Sequence, residues 1–416
     1  MPIYRSLPDA ASLEQLKRQA KDLLAELRSG NAAALRRLRE AHPKIAKLSQ
    51  RDPKLSDAQL VLAREYGFVN WPELRQCLVL GTSSIKTELI KCLESEDPAP
   101  AQRLLDGHPA LVSARFAPHN DTPLHLAAAK NRLKLARLLV DRGANLEARN
   151  SWRATPLVSA LISEHARDTR MVDLLVQSGA KPFSLREAAG VGNVDLMKSF
   201  WDESGVLKAE AAADSPTEIE PGIWRSDESG TPSTADVIQG AFEWACRCGR
   251  LESAQFLLER GAEVSGPGFF GAQPVHWAAG MGQTEVVRFL VARGANLELR
   301  DPKFNSTAFG WAMEFNQGET MSAIRELGYR LDIWEAAGFG DLDRLEELTS
   351  GDPSLLNAIR WGTPLSCACV ANQLETVRWL LSRGADPKIA NREGKLPLDL
   401  ARERNLGAIA ELIRGI

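Results

Sequence analysis

Apolar positions in this chain follow a two-part rhythm. From Thr122, a short cluster (Leu124, Leu126, Ala127, Ala128) is followed by a polar turn and then by LKLARLLVDRG, whose leucines return at i, i+3 and i+4. The cluster predicts a short helix with a small-residue face, and the longer stretch predicts an amphipathic helix. Thr122 stands where a helix needs an acceptor for its unpaired first N–H groups, and Pro123 suits the first turn, where its missing donor costs nothing. Gly143 closes the second helix in the left-handed conformation that glycine adopts cheaply. Ala144-Asn145-Leu146 then leads into an extended hairpin.

The rhythm recurs. TPLHLAAAKNRLKLARLLVDRGANLEARN from Thr122 aligns with QPVHWAAGMGQTEVVRFLVARGANLELR from Gln273 and TPLSCACVANQLETVRWLLSRGADPKIAN from Thr363, and a Gly-Ala step recurs at Gly143, Gly179, Gly261, Gly294 and Gly384. Each unit buries its apolar faces only by stacking on its neighbours, which predicts an all-α solenoid. With TPLHLAA intact at 122–128, the chain resembles the ankyrin-repeat family over about 85–416. Copies fall near 85–117, 118–150, 151–183, 184–204, 237–266, 267–300, 301–330, 331–360 and 361–393, with a cap at 394–416, about nine to ten units in all. The copies at 184–204 and 331–349 lack the TPLH opening and read as helix pairs with shortened hairpins.

Two segments fall outside the repeat. Residues 1–80 read as a helical N-terminal module: leucines at 13, 16, 23, 24 and 27 closed by Gly30, a second helix ending before Pro43, a third over SDAQLVLAREYGF with Ser56 as its cap and Gly67 as its stop, and a fourth opening at Asn70. The phrases LEQLKRQAKDLL and AREYGFVNWPEL resemble a helical leader that precedes ankyrin repeats in a set of bacterial proteins, which implies a bacterial source and no particular activity. Residues 205–236, rich in acid, Ser, Pro and Thr, read as an insertion that projects from the solenoid or lacks fixed structure. Trp224 lies inside it.

Charge changes this picture only locally. The net charge is −3, yet Lys17–Lys54 holds eleven Lys/Arg against four acids, and Asp202–Asp236 holds nine acids against two bases. Neither segment argues for a nucleic-acid partner, because the basic charges surround helices that already have leucine faces. There is no apolar run long enough for a membrane span, nor an apolar stretch after the first charge, and the six cysteines are too sparse for a disulfide framework. The expectation is a cytoplasmic monomer that touches no membrane.

Several residues suggest chemistry. GPGFFG at 266–271 spells GxGxxG, but it spans a hairpin and contains Pro267, so it reads as turn glycine rather than a dinucleotide site. Cys246/Cys248 and Cys367/Cys369 are spaced i, i+2 on helices and point to different faces, so they read as small buried thiols, and no metal or cofactor is expected. His125 and His276 occupy the repeat's own histidine position and read as structural. Trp244, Trp277 and Trp311 share one position of the short inner helix in successive repeats, flanked by Glu243, His276 and Glu314. They read either as a ladder of aromatic anchors along a concave groove or as rings packed sideways onto neighbouring helices.

On the first reading the groove binds a protein or peptide, with Trp334, Trp361, Trp152, Arg153, Phe269, Phe270 and Lys303 contributing from neighbouring helices and hairpin tips. The alternative is a hydrolase, possibly glycan-active. Glu243, Glu314 and Asp301 would act beside the tryptophans, with 205–236 as a lid.

Overall fold

The computed structural model describes residues 12–41, 52–66, 68, 70–72, 74–75, 84–95, 97–116, 119–163, 165, 168–212, 218–220, 223–224, 233–268 and 271–415. Ten helix pairs run through these residues, from Ser84–Glu94 with Ala99–Gly107 to Pro397–Glu403 with Gly407–Arg414. The all-α repeat expectation holds. Its one exception is a two-stranded antiparallel ribbon in the insertion, Glu218–Glu220 against Ile223–Trp224.

Local chemistry sets the helix boundaries. Thr122, Thr155, Thr307 and Thr363 each accept a backbone N–H with their hydroxyl at the start of an inner helix. At the first of these His125 completes a reciprocal cap. Its Nδ1 accepts the Thr122 N–H at 3.2 Å, and its Nε2 lies 2.9 Å from the Ala154 carbonyl of the next repeat as donor. Where the TPLH opening is missing, a carboxylate takes the histidine's place. Glu187 accepts from the Phe183 N–H, and Glu335 accepts from Asp332 N–H, Thr307 Oγ1 and Tyr329 Oη. At the turn between inner and outer helices the left-handed position goes to Asn131, Asn316, Asn372 and Asn405, or to a glycine such as Gly340, because these residues tolerate positive φ.

The chain forms two compact units, residues 1–269 and 270–416. In the first, helices Leu13–Arg28, Ala32–Ala41 and Leu55–Glu65 of the leader enclose Leu16, Leu23, Leu27, Val61 and Leu62. The third starts one residue before the expected Ser56 cap, because Asp57 accepts the Lys54 N–H at 2.7 Å and closes the turn from within. Gly67 lies outside the described residues. The leader packs on the first repeats: the buried Asn120 amide donates to the Tyr66 carbonyl at 2.7 Å, and the Arg115 guanidinium lies 5.0 Å over the Phe68 ring.

The insertion does not break the stack of this unit, since helix Leu185–Val191 packs directly on Thr234–Arg247. Its described residues make a Trp201–Leu207 bridge, a 3-10 turn at Ala209–Ala212 and the ribbon, while 213–217, 221–222 and 225–232 lie outside the description. In the second unit, helices Pro274–Gly280, Ala308–Glu314, Ile333–Phe339, Pro364–Val370 and Pro397–Glu403 form the inner row, packed neighbour on neighbour through Ala278, Ala312, Ala336, Ala337 and Ala368. Small side chains there let backbones approach closely. Cys367 and Cys369 sit buried in this row, as Cys246 and Cys248 do in the first unit, and loss of solvent pushes the Cys248 thiol up to about 11 and Cys369 to about 12.

Candidate recognition surface

The three aligned tryptophans lie inside the wall. Trp244, Trp277 and Trp311 are 9%, 6% and 6% exposed. Trp244 lies beneath the Arg186 guanidinium, 5.7 Å away, and against Gly190, where a Cβ would come within 3.3 Å of its Cε3. Trp311 lies against Gly280 in the same way, at 3.1 Å, and meets Trp277 edge to face with centroids 4.8 Å apart. An exposed ladder is therefore not what these rings form. Trp244 and Trp311 each occupy the space that a glycine of the preceding inner helix, Gly190 or Gly280, leaves open, and Trp277 packs on Trp311.

The neighbouring polar candidates are equally occupied. The His276 Nδ1 accepts the Gln273 N–H and its Nε2 lies 3.1 Å from the Leu299 carbonyl, while burial lowers its basicity. Asp301 builds the turn that follows it. Its Oδ1 accepts from the N–H groups of Lys303 and Phe304, and its Oδ2 accepts from the Ser306 N–H and, at 3.0 Å, from the Trp311 indole. Glu243 is buried, and Glu314 stands exposed at its helix end. An enclosed acid and base with room for a water between them is what glycoside hydrolysis requires. A carboxylate filled by four donors and another open to solvent do not supply it, so the hydrolase reading is set aside. Among the described residues no group of three His, Cys, Asp or Glu side chains is arranged to hold a metal. A depression of about 580 Å³ lined by residues including Val172, Val176, Val194 and Glu252 contains none of the candidates.

The hairpin candidates are more open. Trp152 is half-buried with its ring 3.7 Å from that of His119, and Arg153 beside it has φ 64°. Phe269 and Phe270 lie outside the described residues. Lys303 is exposed over the Phe304 ring, and Trp361 is 36% exposed. Trp334 is half-buried: its indole donates to the carbonyls of Ala358 and Gly362, and Arg360 covers its face at 4.5 Å.

The sequence of the ankyrin-repeat family matches residues 89–184, 242–334 and 333–416, well over half of the chain. The chain belongs to the ankyrin-repeat family. Among curated proteins it is 41% identical over 88 residues to the DNA-binding protein RFXANK of Homo sapiens, covering 20% of this chain and 34% of that protein. It is 36% identical over 83 residues to the serine/threonine-protein kinase VIK of Arabidopsis thaliana, covering 20% and 18%. The chain thus spans about a third or less of the length of these relatives. Among solved structures, a chain from the complex of the Bd0816 predatory endopeptidase with immunity protein Bd3460 of Bdellovibrio bacteriovorus is 22% identical, with a TM-score of 0.33, covering 44% of this chain and 98% of that one.

Within these ankyrin repeats, sequence reasoning named Trp361 but missed the other residues that are most presented. Leu299, Phe304, Phe315, Ile359 and Trp361 are exposed large apolar side chains of the second unit, and all lie on hairpins or at the end of an inner helix. Their signal was available in the hairpin lengths. Longer connections run from Gly294 to Thr307 and from Asp352 to Thr363, whereas the chain passes from Gly328 to Asp332 with hardly a turn. Arg300 and Arg360, from the hairpins on either side, converge on Asp332 Oδ2 at 2.6 and 2.8 Å.

Proposed function

We propose that this ankyrin-repeat chain is a recognition scaffold that binds a protein or peptide partner on the hairpin-tip and inner-helix surface of residues 270–416. One observation carries the reading. Every large apolar side chain exposed among the described residues of that unit belongs to this surface, and none belongs to its outer helices, Thr284–Ala292, Gly318–Glu326, Leu342–Gly351, Leu374–Ser382 and Gly407–Arg414. Exposed apolar groups scattered over a surface need no explanation, but groups confined to one face mark an interaction site. Aromatic anchors held by rigid elements bind at low entropic cost, and Trp334 and Arg360 hold the Trp361 hairpin in place. The buried Trp277 and Trp311 stiffen the wall behind this surface, while Trp244 is buried in the first unit, whose corresponding tip Trp152 and Arg153 mark. The leader at 1–80 serves as the N-terminal cap of the repeats.

The test is affinity capture from the source cell with full-length protein beside a Phe304→Ser/Trp361→Ser variant. Loss of a specific partner with unchanged melting supports the reading. A partner held equally by the variant refutes it.

A further inference from the structure

The short hairpin at Gly328–Asp332 leaves a gap between two full-length tips. On one side stands Phe304, 56% exposed, and on the other stand Ile359, 59% exposed, and Trp361. The intervening repeat sends no long hairpin between them, only residues 329–331 from Gly328 to its helix cap. Instead, Asp332 caps helix Ile333–Phe339 through Oδ1 and receives both arginines on Oδ2, so its charge is already more than neutralised. Lys303 adds an exposed cation on the first tip and Arg392 another beyond Trp361, where its backbone N–H donates to the Trp361 carbonyl. The same connections also carry acids: Asp301 is buried in its turn, Glu393 lies 3.6 Å from Lys395, Glu298 is exposed, and Asp352 and Asp386 accept the Ser354 and Lys388 N–H groups. Arg360 donates to Asp332 through Nη1, and a guanidinium has five N–H groups, so the pair with Asp332 does not exhaust it.

We infer, resting on the reading above, that this gap takes an extended acidic segment of a protein partner. Aromatic or aliphatic side chains of that segment seat against Phe304, Ile359 and Trp361, and its carboxylates meet Arg300, Lys303 and Arg360. Apolar walls with cations between them match an alternation of apolar and acidic residues, which an extended strand presents on its two sides. Planar guanidinium groups favour carboxylates with two parallel N–H bonds. A basic or purely polar segment lacks one half of this match.

The experiment measures fluorescence anisotropy of short dye-labelled peptides against the full chain. One probe alternates Glu/Asp with Phe/Leu, a second replaces its acids by lysine, a third replaces its apolar residues by serine, and a labelled single-stranded DNA is the polyanion control. The first peptide should bind, and the other two peptides should bind at least about tenfold more weakly. Phe304→Ser/Trp361→Ser should weaken the first peptide by about tenfold or more with an unchanged melting temperature. Lys303→Glu/Arg392→Glu should weaken it and flatten its salt dependence. Equal binding of the lysine peptide, indifference to the Phe304/Trp361 variant, DNA binding as tight as that of the first peptide, or no peptide binding at all would overturn the inference. If cellular capture still depends on Phe304 and Trp361 while the acidic peptide fails, only the acidic chemistry falls. If capture ignores them as well, the recognition surface itself is refuted.

Discussion

At Trp311 one side chain fills the space over Gly280 and supplies the fourth donor to Asp301. Trp311→Ala should cost about 3–5 kcal/mol from lost burial and the cavity left behind. Trp311→Phe keeps most of the ring and should cost about 1–2 kcal/mol for the lost donor. Urea unfolding distinguishes the two, and an alanine variant within about 1 kcal/mol of wild type would mean that the ring is not core.

Two buried titratable residues of the repeats act in opposite senses. Burial pushes the Glu187 carboxyl from its usual 4.5 up to about 7, only partly offset by the Phe183 N–H and Arg149, while Glu147 adds to the rise. Between these values the native protein holds a proton that the unfolded chain has released. The stability from this group is complete below 4.5 and is lost as pH rises through 7. Burial also drives His125 from 6.5 down to about 3, so its contribution is present above 6.5 and is lost as pH falls toward 3. Glu187→Gln removes only the first effect. Its stability should gain on wild type by on the order of 1–3 kcal/mol between pH 5 and pH 8. Denaturant titrations at the two pH values check this, and parallel wild-type and variant curves would count against it.

For a single inner helix, the relation between glycine and tryptophan has a testable sign. Gly280→Ala gains about 1 kcal/mol of helix propensity, but its new Cβ would meet Trp311 Cε3 at 3.1 Å and Phe315 Cδ2 at 3.3 Å. The substitution should destabilise wild type by about 1 kcal/mol and stabilise the Trp311→Ala background, a reversal that a double-mutant cycle measures. Helix caps, proline starts and left-handed glycines were legible in the sequence because each answers a demand of the backbone a few residues away. The direction of the tryptophans was not. A ring on an inner helix is turned inward or outward by the size of a residue on the neighbouring repeat, here Gly190 or Gly280, and no spacing within its own repeat records that. Asp301 misled for the same reason: its partners include the Trp311 indole, which only the folded turn brings within reach.

At the scale of the whole molecule, the leader belongs energetically to the first repeats. Asn120→Gly keeps the left-handed backbone at φ 60° while deleting the amide that reaches Tyr66. It should cost about 1–3 kcal/mol by leaving a buried carbonyl unpaired, and should speed proteolysis within residues 13–66. Unchanged cleavage would show that the leader is held by something else. Repeat number and register could be read from recurring phrases, but this attachment could not, since Asn120 reads in the sequence as an ordinary turn residue. Among the described residues no helix is long and apolar enough to cross a membrane.

That contact joins positions 54 residues apart, across the junction between the leader and the repeats. Synthesis proceeds from the N-terminus and domains fold as they emerge. The Tyr66 carbonyl is therefore already outside the ribosome when Asn120 appears, so the first repeat is born onto a waiting template, and later repeats inherit their order from it.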